Sequence, residues 1–110
     1  MPAEDLYYSA LDHLAAGRNQ QAIADFRAAL GLNPSFADAA HGLVRALQNE
    51  SLYQEAVSVA HQLIAQNADD VLAHTSLSIL YQHMGLVPEA EAESARAKIL
   101  RWKLQLHRQE

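Results

Sequence analysis

The chain is predicted to be all-α, an α-α solenoid made of about six helices stacked as antiparallel pairs. Two observations carry that prediction. Ala22, Ala56 and Ala90 lie 34 residues apart, and much of the chain repeats around them in the same register. A fixed period of roughly 20–50 residues marks a stacked-repeat architecture. Each repeat also holds two runs of apolar residues at helical spacing, separated by a short polar turn, so each reads as a helical hairpin. The repeats are 3–36, 37–70 and 71–104 of the 110 residues, and the chain is read as one domain over 1–110.

Helices are expected over 3–16, 19–32, 37–49, 53–66, 71–84 and 88–107. Gly17 and Gly85 suit the left-handed residue that follows a helix, where a side chain would clash. Ser51 shares their column. Asn33-Pro34 ends the second helix, because the residue before proline avoids helical angles. Pro88 fits a first helical turn, where its missing N–H costs nothing. The Ala22, Ala56 and Ala90 column marks a close helix crossing that a larger side chain would push apart. Trp102 stands where the first repeat has Pro34, so nothing stops the last helix there, and no further helix is expected after it.

Further columns agree. Gln21, Glu55 and Glu89 precede the alanines, and Ala29, Leu63 and Ala97 follow them by seven residues. Ala22, Phe26 and Pro34 give an alanine, an aromatic four residues on, and a closing proline. In the first helices, Leu43 and Leu77 share a column, with Tyr81 four residues after Leu77. On these residues the chain resembles the tetratricopeptide repeat family over residues 3–104. The resemblance implies a right-handed superhelical stack of the helix pairs, used to bind proteins rather than for catalysis.

In that family the first helix of each repeat lines a concave groove that holds an extended peptide or a helix. Carried over by register, the groove columns include Tyr7, Tyr8 and Leu11, then His41, Arg45 and Asn49, then Thr75, Ile79 and His83. A protein or peptide partner is therefore expected. Chaperone-binding members grip a peptide's terminal carboxylates with Lys, Asn and Arg at five positions. Those positions here hold Tyr7, Leu11, Gly42, Leu72 and Ser76, so chaperone tails are not expected to bind by that clamp. Arg45 is the one strong cation expected in the groove. It could take a carboxylate in bidentate fashion, or pair within the chain with Asp12 or Asp38. Tyr7 and Tyr8 could anchor a partner, with one of them packing structurally instead.

Composition narrows the function. Half of the residues are hydrophobic and the formal net charge is −5. There is no cysteine, which is compatible with a reducing compartment. No apolar run approaches the roughly 18 residues of a membrane span, and the N-terminus lacks a secretion-signal layout, so a cytoplasmic location is expected. Arg18, Arg27 and Arg45 are the only Lys or Arg before residue 96, whereas Arg96, Lys98, Arg101, Lys103 and Arg108 crowd the last helix. Cations near a helix C-terminus complement its dipole. An acidic body would repel a polyanion, so neither nucleic acid nor a membrane is expected as partner.

His13, His41, His61, His74, His83 and His107 form no zinc-protease spacing, and no nucleophile triad, phosphate loop or paired-carboxylate motif is present. No enzyme activity, metal or cofactor is expected. In the last helix, Ile99, Trp102 and Leu106 form one apolar line and Leu100 and Leu104 another. A terminal helix needs only one apolar face, so Leu100, Trp102 and Leu104 are candidate contacts in a homo-oligomer. The alternative to a groove-binding adaptor is thus a self-associating assembly module.

Overall fold

The computed structural model describes residues 1–109. Six helices follow one another: α1 (Ala3–Ala15), α2 (Asn19–Leu32), α3 (Ala37–Asn49), α4 (Tyr53–Gln66), α5 (Val71–His83) and α6 (Val87–Gln109). No strand occurs among the described residues. The all-α solenoid of helix pairs is the expected class. Contacts gather into two units, Met1–Val59 and Ala60–Glu110.

Each first helix ends in the same way. The Arg18 N–H donates to the His13 carbonyl, Leu52 to Leu47, and Leu86 to Tyr81, at 2.8–2.9 Å. These bonds reach back five residues and close a Schellman-type stop. The residue before each donor is left-handed: Gly17 at φ 78°, Gly85 at φ 77°, and Ser51 at φ 61°. Ser51 is the one non-glycine residue described with positive φ, a conformation that crowds its Cβ.

The second helices stop on asparagine. Asn33 Oδ1 accepts the Ser35 N–H at 3.2 Å, and Asn67 Oδ1 accepts the Asp69 N–H at 3.1 Å. Each is an Asx-type turn that competes with the helix. Asp70 then caps α5 by accepting the Ala73 N–H at 3.0 Å. The third member of the Asn33 and Asn67 column is Arg101, which offers no such turn. Helix α6 therefore continues to Gln109, two residues beyond the expected end.

In the first unit α1 pairs with α2, and α3 lies on α2 with a smaller contact to α1. Its core is small-residue rich: Ala10, Ala22, Ala29, Ala39, Ala46 and Ala56 are fully buried around Phe26 and Leu47. Alanine lets helices approach closely while Phe26 fills the space between them. Gly42 of α3 faces that ring, and a Cβ there would fall within the ring's van der Waals envelope. In the second unit α5 and α6 pair across Leu77, Leu80, Ala90 and Ala97.

Candidate functional site

Helices α1 and α3 carry six of the candidate groove residues, and the two tyrosines behave differently. The Tyr7 ring is half-buried against Phe36, at 5.1 Å between centroids, and Phe26, at 6.1 Å. Burial, helped by the nearby Asp38 carboxylate and then by Tyr8, pushes the Tyr7 phenol above the ordinary tyrosine range. The Tyr8 ring lies tilted against Tyr7, at 5.5 Å between centroids, but the residue is 62% exposed. Tyr7 thus belongs to the packing and Tyr8 to the surface. Leu11 is half-buried one turn on.

On α3, His41 is half-buried, and Arg45 and Asn49 are exposed. Asn49 donates from Nδ2 to Asn19 Oδ1 at 3.1 Å, tying the end of α3 to the start of α2. Arg45 makes no ion pair with Asp12 or Asp38 among the described residues, so its guanidinium fork faces solvent. Elsewhere in this unit Arg27 pairs with Glu55, and His13 Nε2 lies 3.7 Å from Asp25 Oδ2. Gly42, although it stands in a groove column, is turned toward Phe26.

The three candidate residues of α5 divide similarly. Thr75 Oγ1 donates to the Val71 carbonyl of its own helix at 3.0 Å. Ile79 and His83 are exposed. On α6, Leu100 is half-buried, whereas Trp102 and Leu104 are exposed, together with Ile99 and Leu106. Both apolar lines of the last helix therefore face solvent along most of their length.

The second unit also holds a buried polar cluster that the repeat pattern did not announce. His74 Nδ1 donates to Glu93 Oε2 at 2.6 Å, and Arg96 donates to Glu93 Oε1 at 2.6 Å. His74 Nε2 lies 3.4 Å from the Ala68 carbonyl, and the Ser78 hydroxyl donates to the Ala90 carbonyl at 2.8 Å. His74 and Glu93 are both more than nine-tenths buried. Buried charge is tolerated here because every carboxylate oxygen has a donor. The available signal was positional: Glu93 and Asp25 share a column whose middle member is Val59, and an acid in an otherwise apolar column needs a partner. Asp25 finds one in Ser9, whose hydroxyl donates to it at 2.6 Å. Among the described residues no group of three or more His, Asp or Glu is arranged to hold a metal ion. No described helix is long and apolar enough to cross a membrane.

No protein-family model and no curated protein sequence matches the chain. Solved structures do. MamA superposes with a TM-score of 0.90 at 23% identity, covering 94% of this chain and 61% of MamA. The type III secretion translocator chaperone SycD of Yersinia enterocolitica superposes with a TM-score of 0.86 at 20% identity, covering 89% of this chain and 73% of SycD. The first TPR of Spaghetti (RPAP3), bound to the HSP90 peptide SRMEEVD, gives 0.85 at 16% identity, covering 89% and 78%. This chain spans only about three fifths of MamA's length. The fold is TPR-like: helix hairpins in 34-residue register, with neighbours of the same kind.

Proposed function

We propose that the chain is a non-catalytic protein-interaction module that binds an extended peptide or a helix along the first-helix face of its repeats. The observation that carries this reading is that α1 exposes an aromatic, Tyr8, and α3 exposes a cation, Arg45, that no described acid neutralises. An exposed Tyr supplies a large rigid contact at small entropic cost, and Arg supplies a bidentate grip on a carboxylate. The partner segment should therefore carry an apolar or aromatic anchor near an acidic residue. Leu11, His41 and Asn49 flank the same helical faces, and Thr75, Ile79 and His83 are the corresponding positions of α5. Structural neighbours support an interaction role: the first TPR of RPAP3 holds an HSP90 peptide, and PcrH was solved with the chaperone binding region of PopD. The five clamp positions lack Lys, Asn and Arg, so recognition of a chaperone tail would need other contacts.

Affinity capture from native cell extract tests the reading. Wild type is the bait beside Tyr8→Ala/Arg45→Glu. Partners held by wild type and lost by the variant support it; identical recoveries contradict it.

A second reading, self-association through α6, is supported by the exposure of Trp102 (59%), Leu104 (44%) and Ile99 (52%). Leu100→Glu with Trp102→Ala should then reduce the mass measured by light scattering; an unchanged mass contradicts it.

A further inference from the structure

We propose that the cleft between α5 and α6 is the docking site for helix α1 of a second copy of this chain. The cleft has a volume of about 220 Å³, and its lining includes Thr75, Ser78, Ile79, Ser94, Lys98 and Arg101. Two repeats earlier, the same columns are Tyr7, Ala10, Leu11, Phe26, Leu30 and Asn33. That earlier face of α1 and α2 is the one on which α3 lies. Phe26 is fully buried there, with its ring against Gly42. The α5–α6 hairpin thus repeats a surface whose occupant in the first unit is a first-position helix.

Two properties select α1 as the helix that fits. The first is volume. Tyr8 is the α1 member of the Gly42 column, and Ser94 is the α6 member of the Phe26 column. Where α3 brings no side chain to meet a large ring, α1 would bring a large ring to meet a small side chain. Tyr8 is exposed and Ser94 half-buried, so each is available for that contact. The second is charge. Glu4 and Asp5 open α1, and Lys98 and Arg101 line the cleft. None of the four makes an ion pair among the described residues. Register brings them together: α3 begins just after Asn33, whose column in α6 is Arg101, so a helix docked as α3 is docked presents its first turn to Arg101.

The contact is heterologous, joining a donor surface on one copy to a different acceptor surface on the next. It uses a different face from the exposed end of α6. Tyr8, Thr75 and Ile79 are shared with the proposed peptide groove, whereas Ser94, Lys98 and Arg101 are not, so variants at these three positions test the docking apart from peptide binding.

Sedimentation of the whole chain over a concentration series tests the proposal. Wild type should gain mass with concentration, and less so at high salt, because exposed charge pairs are screened. Tyr8→Arg and Ser94→Arg should each weaken association on the order of 100-fold by forcing an unpaired charge into the contact. An equimolar mixture of the two variants should form a dimer and nothing larger, since each retains one intact surface. That dimer also shows that both variants fold. The charge-reversed chains Glu4→Lys/Asp5→Lys and Lys98→Glu/Arg101→Glu, weak alone, should associate when mixed. A wild type that stays monomeric overturns the proposal. So does a mixture that stays monomeric, or assembly that survives both arginine variants and is lost in Leu100→Glu/Trp102→Ala.

Discussion

Single positions carry much of the fold, and two of them give opposite expectations for glycine. Gly42 is required by contact: its missing Cβ makes room for the buried Phe26 ring. Gly42→Ala should lower stability by about 2 kcal/mol in urea titration through overpacking, even though alanine is the better helix former by about 1 kcal/mol. Adding Phe26→Leu should recover part of the loss if the clash is with the ring. Ser51, in contrast, holds a backbone conformation that its two column mates meet with glycine. Ser51→Gly should raise stability by about 1 kcal/mol, because the left-handed conformation costs a side chain that much. An unchanged or lower urea midpoint would show that the strain is relieved locally, for example by the long 3.4 Å contact from the Tyr53 hydroxyl to Ser51 Oγ. The tyrosines illustrate what sequence cannot resolve at this scale. Tyr7 and Tyr8 are adjacent and chemically identical, and only the positions of Phe26 and Phe36 decide that Tyr7 packs while Tyr8 stays exposed.

At the scale of helices, boundaries were legible because they are set by local chemistry. The apolar spacing and the turn residues place five helix starts and three helix ends where the structure has them, and the other boundaries, including the ends before Gly17 and Gly85, fall within two residues. The Asn33 and Asn67 turns were less legible, since Pro34 by itself accounts for the stop in the first repeat and the second has Ala68 in that column. The His74, Glu93 and Arg96 cluster was not legible, because it joins side chains 19 residues apart on facing helices and needs a packed interface to exist. It yields a prediction for the α5–α6 pair. Glu93→Leu should cost about 3 kcal/mol, since it leaves His74 buried without its acceptor. His74→Leu/Glu93→Leu should cost clearly less than the sum of the two single changes, as denaturant-derived stabilities in a double-mutant cycle would measure. Additive costs would mean that the pair is not coupled.

Over the whole molecule, stability should respond to alkali in a particular direction. Tyr7 and Tyr81 both have phenols raised above the ordinary tyrosine pKa of about 10. For each, burial is the leading cause. Near Tyr81, Glu93 and Glu89 add to the rise and Arg96 opposes it. The folded state therefore holds these protons more tightly than the unfolded chain. Their contribution is complete below about pH 10 and is lost as pH climbs through the raised folded values. Thermal unfolding midpoints should fall above that pH, and Tyr7→Phe/Tyr81→Phe should flatten the fall. A profile as steep in the variant as in wild type would assign it to other groups.

The functional proposal belongs to the same scale: Tyr8 and Arg45 as the proposed recognition surface for a segment with an apolar anchor beside an acid. The most direct test is a calorimetric titration. Peptides enriched on the wild-type chain from a displayed library would be titrated into wild type and into Tyr8→Ala/Arg45→Glu. The account expects enriched peptides that pair an aromatic or aliphatic residue with Asp or Glu, and a loss of affinity in the variant of roughly 30-fold or more, the scale of a binding hot spot. Affinities within about twofold of each other, or a library that enriches nothing, would contradict it.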